Sequence, residues 1–275
     1  MSDIIKDCFY VMEDDEEEIR LTLKTDPVAT ENQVRWCGIR PGQRILDAGC
    51  GPGKTTSIIS EIVQPGGLAV GVDFSERRID YAKKNYGGKK GVEFFIRDLR
   101  DPIELGEFDA VWVRFLLEHY RTGSIEIIKN LKDCLKPGGY LCLLDLDHNS
   151  MNHYELPEQI EKLLPKILKK LEKYYNFDPY SGRKLFSYLY DNGFENIEMD
   201  IRPHHLIYGD HIEENVFFNW SKKLEVISNY FKNLLAEYPG GYNAFYNDFK
   251  SFLLNPRRFT YTPIILCKGQ KPSEN

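Results

Sequence analysis

From residue 44 onward, short apolar runs alternate with amphipathic stretches of helical length. "RILDAG" predicts a buried strand, followed by a helix over Thr55–Val63 and the turn Pro65-Gly66-Gly67. "LAVGVDFS" predicts the second strand and Glu76–Asn85 the second helix, while "VEFFIRDL" and "FDAVWVRFL" predict the third and fourth strands. Ile125–Leu135 has helical spacing, stops at Pro137-Gly138-Gly139, and leads into a fifth strand, "YLCLLDLD". Upstream, residues 1–26 read as a helical or loose acidic segment, and Glu31–Ile39 as a short helix ending at Pro41-Gly42. Strands that alternate with single helices imply right-handed crossovers. The expectation is a doubly wound, mostly parallel α/β sheet covered on both faces.

Beyond residue 150 the period changes. Leu163, Leu164, Ile167, Leu168, Leu171, Tyr174 and Tyr175 follow helical spacing. Ser181–Asp191 predicts a helix closed by Asn192-Gly193, with the strand "NIEMDIRP" after it. A second long helical pattern runs through Phe217, Trp220, Leu224, Ile227, Phe231, Leu234 and Leu235, and "RFTYTPIILCKG" is the last strand. The chain thus divides into an N-terminal lid segment (1–26), a cofactor-binding core (27–150), a helical insertion (151–180), a core continuation (181–208), a helical cap (209–255) and a final strand with its tail (256–275). More than half of the aromatic residues fall within 151–255. They can build a small core of the helical additions, line an apolar pocket over the sheet end, or both.

Composition narrows the classes. With 42% hydrophobic and 28% charged residues, the 275-residue chain reads as soluble and globular. A formal charge of −6 argues against a nucleic-acid surface. No run approaches the ~20 apolar residues that cross a bilayer, so no membrane partner is expected. The N-terminus is acidic where a secretory signal would be basic. Six scattered cysteines form no metal-ligand or disulfide pattern. A cytoplasmic protein is expected, with no metal and its oligomeric state open.

The candidate chemistry lies in "LDAGCGPGKT" (46–55). A strand, a tight turn and a helix place backbone amides at a helix N-terminus, and glycines let a ligand approach the main chain. A triphosphate would suit Lys54-Thr55. However, Asp47 would face phosphate oxygens, and Pro52 removes one amide donor. A dinucleotide fingerprint would need glycine at position 54, which is Lys. S-adenosyl-L-methionine carries a sulfonium and an α-amino group but no phosphate, so an acid at the strand end becomes favourable. Lys54 then needs no role and reads as an exposed lysine.

"ILDAGCGPG", "VGVDFS", "IRDL", "FDAVWVRFLLEH" and "LKPGGYLCLLD" follow one another in order. Together they resemble the successive motifs of the class I S-adenosylmethionine-dependent methyltransferases, closely over residues ~35–147. The resemblance implies a Rossmann-like, seven-stranded sheet with helical cap insertions. It also implies cofactor contacts from Asp47, Gly49, Cys50 and Gly51. Asp73 would take the ribose hydroxyls with Phe74 beside the adenine. Asp98 would meet the adenine amino group, and Leu99 would give a backbone contact. Two bland alternatives stand beside these roles: Asp73 as a helix cap, with Ser75 able to serve instead, and Asp98 as a turn cap before Asp101-Pro102.

Catalytic groups of this family often follow the fourth strand, where the chain reads Arg114-Phe-Leu-Leu-Glu118-His119-Tyr120. His119 is the candidate general base. Arg114 is a candidate for the methionine carboxylate, or else a partner of Glu118. If the N-terminal segment folds over the cofactor, Tyr10, Arg20 and Lys24 reach the site, with Arg20 on the same carboxylate. His148 and His153 follow strand five and would face the pocket mouth, whereas His204-His205 reads as core or surface. Alternation along the strand keeps Asp145, Asp147 and His148 from converging on a metal. The expected activity is methyl transfer to an O or N atom of a small, apolar or aromatic molecule. The alternatives are methylation of a macromolecule (tRNA or protein) and a non-catalytic S-adenosylmethionine-binding module.

Overall fold

A computed structural model of the protein describes residues 16–273. Tyr10 lies outside the described residues. The first half comprises α1 (Glu17–Lys24), α2 (Pro27–Trp36), β1 (Arg44–Ala48), α3 (Lys54–Ile62), β2 (Leu68–Asp73), α4 (Glu76–Tyr86), β3 (Val92–Ile96), β4 (Phe108–Arg114), a 3-10 turn (Leu117–His119), α5 (Ser124–Asp133) and β5 (Leu135–Leu146). The second half comprises β6 (Asn152–Tyr154), α6 (Glu158–Tyr174), a 3-10 turn (Gly182–Lys184), α7 (Leu185–Asp191), β7 (Glu195–Tyr208), α8 (Glu214–Tyr230), α9 (Lys232–Leu235), α10 (Gly241–Leu254) and β8 (Phe259–Gln270).

The strands form one mixed sheet in the order β3-β2-β1-β4-β5-β8-β6, and β7 pairs with the other edge of β8. The first five strands are parallel and β8 is antiparallel. Sequence alternation sets the two faces. Leu46, Val70, Val111 and Leu141 point toward α5 and α7, where Ile127, Ile128, Leu131 and Leu189 complete one core. Their neighbours Ile45, Ala69, Ala110 and Cys142 point the other way, onto Val34, Ile59 and Ile62 of α2 and α3. β1 lies between β2 and β4, and the strand order reverses beside it. Open α/β sheets bind ligands at the C-terminal strand ends around such a reversal.

Several elements depart from the pattern expected, among them the three-residue β6, which adds an eighth strand to the seven expected. β5 begins at Leu135, before the Pro-Gly-Gly turn, because Leu135 is fully buried opposite Phe108; the ladder then shifts register before Ala110. The Ser181–Asp191 helix starts as a 3-10 turn. "NIEMDIRP" continues to Tyr208, since β8 pairs along its length, with a shift in register between Pro203 and His205 where Pro has no N–H to donate.

A separate core lies in the helical additions. Ile160, Leu163 and Ile167 of α6 meet Trp220 and Leu224 of α8, Phe245, Phe249 and Phe252 of α10, and Ile207 of β7. Residues from both additions therefore share one apolar cluster.

Candidate active site

Asp47 is the last-but-one residue of β1 and is buried. Its Oδ2 accepts a 2.6 Å hydrogen bond from Thr56 Oγ1, one turn into α3. Burial pushes its carboxyl up to about 7, with Arg114 acting in the opposite direction. The turn that follows is bound within itself. Gly49 N–H and Cys50 N–H both donate to the Val72 carbonyl, at 2.8 and 2.9 Å, and Gly53 N–H donates to the Cys50 carbonyl at 3.1 Å. Gly51 N–H donates to Asp73 Oδ2 at 3.0 Å. With Pro52 lacking an N–H, these loop amides are already used inside the protein, and the loop makes no phosphate cradle. Lys54 is not a solvated lysine. Its Nζ donates to the Thr22 carbonyl at 2.8 Å and ties the loop to α1.

Asp73 ends β2, buried, with Oδ1 accepting from Ser75 N–H at 2.9 Å and in ion-pair contact with Arg78 Nη1 at 3.6 Å. Ser75 caps α4, so Asp73 is released from that duty. Phe74 stays exposed beside it, and the Arg78 guanidinium lies 5.7 Å from its ring centre. Asp47, Gly49, Cys50, Gly51, Asp73, Phe74, Leu99 and Arg114 line one cavity together with Lys24, Phe115, Glu118, His119 and Tyr120.

Asp98 and Arg20 are placed otherwise. Asp98 binds Arg100 through its backbone N–H (3.0 Å) and through Nη2 (2.6 Å), which holds its carboxyl below the usual range. At that point the cavity wall is formed by Arg97 and Leu99. Arg20 is buried between α1 and α8. It holds both Glu17 oxygens at 2.6 Å and Asn219 Oδ1 at 2.7 Å, and it does not line the cavity.

The segment after β4 turns sharply, with Phe115 in the left-handed region at φ 56°. Arg114 Nε donates to Gln33 Oε1 at 3.1 Å, so its partner is Gln33 rather than Glu118; burial lowers it to about 10. Glu118 is buried on the 3-10 turn and accepts from Asn149 Nδ2 at 2.8 Å. His119 Nε2 lies 3.6 Å from Glu118 Oε1, its ring tilted against Phe177. Burial takes the imidazole down to about 4, so it is neutral at pH 7. Behind them Asp145 accepts from the Glu118 and Leu146 amides, at 3.0 and 2.8 Å; burial first, then Glu118, raises its carboxyl well above the usual range. Asp147 points away to Arg183.

His148 and His153 do not line the cavity. His148 Nδ1 contacts Asn152 Oδ1, and both His153 nitrogens are bound, to Thr260 Oγ1 and to the Ser150 carbonyl. Sequence reasoning did not single out Thr56 or Arg78, and it treated Glu118 only as a partner for Arg114. The buried hydroxyl one helical turn past the glycines was the available signal for Thr56.

The residues fit S-adenosylmethionine. The cavity sets buried carboxylates at the ends of adjacent strands, apolar walls at Leu99 and Phe115, and a turn whose amides do not point at a phosphate. Residues 39–185 match the model of a family described as a methyltransferase domain. The chain is 33% identical over 117 residues to a demethylmenaquinone methyltransferase of Lactococcus lactis, a match covering 42% of this chain and 46% of that protein. It thus spans less than half the length of this relative. Among solved structures, phosphoethanolamine N-methyltransferase 2 of Haemonchus contortus in complex with S-adenosyl-L-methionine is similar at a TM-score of 0.55 and 17% identity, covering 90% of this chain and 53% of that one. The [4+2]-cyclase SpnF is equally similar, at a TM-score of 0.55 and 17% identity over 90% of this chain and 82% of its own. These two likenesses concern the fold.

Proposed function

This chain belongs to the methyltransferase domain family, and we propose that it transfers a methyl group from S-adenosylmethionine to an oxygen or nitrogen of a small, aromatic or largely apolar molecule. The observation that carries this reading is the single cavity in which the glycine turn, Asp47 and Asp73 adjoin Glu118 and His119. Bound there, S-adenosylmethionine supplies a methyl group already activated by its sulfonium. Asp73 would hold the ribose hydroxyls between Phe74 and Leu99. Asp47 and Arg114 would face the charged methionine end.

The remaining work is alignment, exclusion of water and removal of the acceptor's proton. His119 is in its base form at neutral pH, and Glu118 Oε1, 3.6 Å from Nε2, stabilises the imidazolium once the proton arrives. A pKa near 4 makes it a weak base, suited to an acceptor whose own proton becomes acidic as the methyl group moves. The quinone-type acceptor of the Lactococcus relative supports a small-molecule substrate.

Calorimetric titration with S-adenosylhomocysteine tests the reading. One site per chain is expected, with Asp73→Ala weakening it about tenfold or more, the loss of two charge-assisted hydrogen bonds. A folded wild-type chain that binds neither S-adenosylhomocysteine nor S-adenosylmethionine would sink it.

A further inference from the structure

A second group of polar side chains, outside the cofactor contacts, faces inward where α1, β7 and α8 meet the end of β4. Lys24 Nζ lies 4.5 Å from the centre of the Phe115 ring, on the cavity wall. The other side of that wall is continuous with the cap: the Phe115 and His204 rings are 4.8 Å apart, His204 and His205 4.2 Å, and His205 and Trp220 6.1 Å. Lys223 Nζ closes the arc, 4.8 Å from the Trp220 ring and 3.3 Å from Ser150 Oγ.

Among the described residues, four polar atoms here are buried with no hydrogen-bond partner: His204 Nε2, His205 Nδ1, Asn219 Nδ2 and Trp220 Nε1. Buried polar groups are ordinarily satisfied, so a cluster of unsatisfied donors calls for acceptors, from water, an ion or a ligand. Two of the four, Asn219 Nδ2 and Trp220 Nε1, are obligate donors, and each imidazole can present an N–H. The nearby charges are also mostly positive. Among the described residues neither Lys24 nor Lys223 has a carboxylate in ion-pair contact, and Glu118 is the acid that acts on both. Arg20 is held by Glu17, and Arg114 acts on Asp47. Burial, with Arg20 and Arg114 adding to it, lowers Lys24 to about 8; burial and then Lys24 lower Lys223 to about 7.

We propose that this arc is the acceptor subsite of the enzyme and that it binds an anionic group, a carboxylate or a phosphate, of the small-molecule substrate through Lys24, Lys223 and the His204-His205 pair. The proposal rests on the methyltransferase reading and specifies its substrate class. An anion seated there supplies the acceptors that the buried donors lack and the counter-charge that both lysines lack. It also directs the uncharged end of the acceptor past Phe115 toward His119.

The test uses the full chain saturated with S-adenosylhomocysteine and three probes of one shape: benzoate, phenyl phosphate and uncharged benzamide. At least one anion is expected to bind about tenfold or more tightly than benzamide, the scale of one hydrogen-bonded charge pair. A preference for benzoate identifies a carboxylate, and one for phenyl phosphate a phosphate. Lys223→Met should abolish the preference and Lys223→Arg should keep it, both with unchanged S-adenosylhomocysteine affinity. The proposal is overturned if benzamide binds as well as the anions, if none of the three binds, or if Lys223→Met keeps the preference. Cofactor binding in the same samples reports separately on the methyltransferase reading.

Discussion

Asp47 shows how much a single side chain depends on its surroundings. The sequence places an acid before the glycines, and together with Pro52 that argues against a phosphate as the ligand. Its protonation is set by burial against β4 and α3, which raises the carboxyl from 3.8 to about 7. The folded state then holds a proton that the unfolded chain has released between these values. This contribution to stability is therefore lost as pH rises from about 4 to 7. Asp47→Asn removes that dependence. Its unfolding free energy relative to wild type should rise across pH 4 to 7 by a few kcal/mol, at roughly 1.4 kcal/mol per pH unit, and be flat above. Chemical denaturation at stepped pH measures this, and a pH-independent difference would contradict it. Glu118 was less legible because nothing in its local pattern says it is buried; its role comes from Asn149 and Asp145, which are distant in sequence, whereas Thr56 meets Asp47 nine residues away.

The β1–α3 turn was read correctly as an element, although its glycines do different things. Gly51 has a φ of +54°, and a Cβ there would meet only Leu21 Cδ1, at 3.7 Å. Gly53 has a φ of +85°, and a Cβ would sit 2.7 Å from Ala82 Cβ and 2.8 Å from the Phe94 ring. Gly51→Ala should cost about 1 kcal/mol, from backbone strain, while weakening S-adenosylhomocysteine at the cavity wall. Gly53→Ala adds overpacking, for roughly 2–4 kcal/mol in all. Thermal unfolding and calorimetry on the pair check the ranking; equal destabilisation would show that strain alone governs the turn. Lys54 belongs to this scale as well. The reading of it as an exposed lysine gives way because α1, which the sequence could not position, brings the Thr22 carbonyl within reach.

At the scale of the molecule, the sheet and the cap are held by separate apolar clusters. The links between them include α1 against α8 through Arg20 and Asn219, Phe115 against His204, and His153 of β6 against Trp220, Phe249 and Phe252. Phe245 is fully buried in the cap cluster, beside Tyr238 and Phe249. Phe245→Ala should cost the cap about 3–5 kcal/mol. Amide exchange should accelerate across residues 209–255, while β1, β2 and β4 stay protected and S-adenosylhomocysteine affinity changes by less than about threefold, under ~1 kcal/mol. A uniform loss of protection over the sheet would mean that the two cores unfold as one.

The alternating strands, the helix periods, the glycine turn with Asp47 and the acids ending successive strands were all determined by the sequence itself, because each is a matter of nearest-neighbour pattern. So was the cofactor expected at that turn. Only the tertiary structure decided that Asp98 is held by Arg100, that Arg20 serves the α1–α8 contact, and that His204 and His205 face inward beside two lysines. The Asp98 contact is a local turn, one of the two roles open to it in the sequence; the others depend on which groups meet across loops of unconstrained length, and on the burial that follows. Neither is encoded in the local period of the chain.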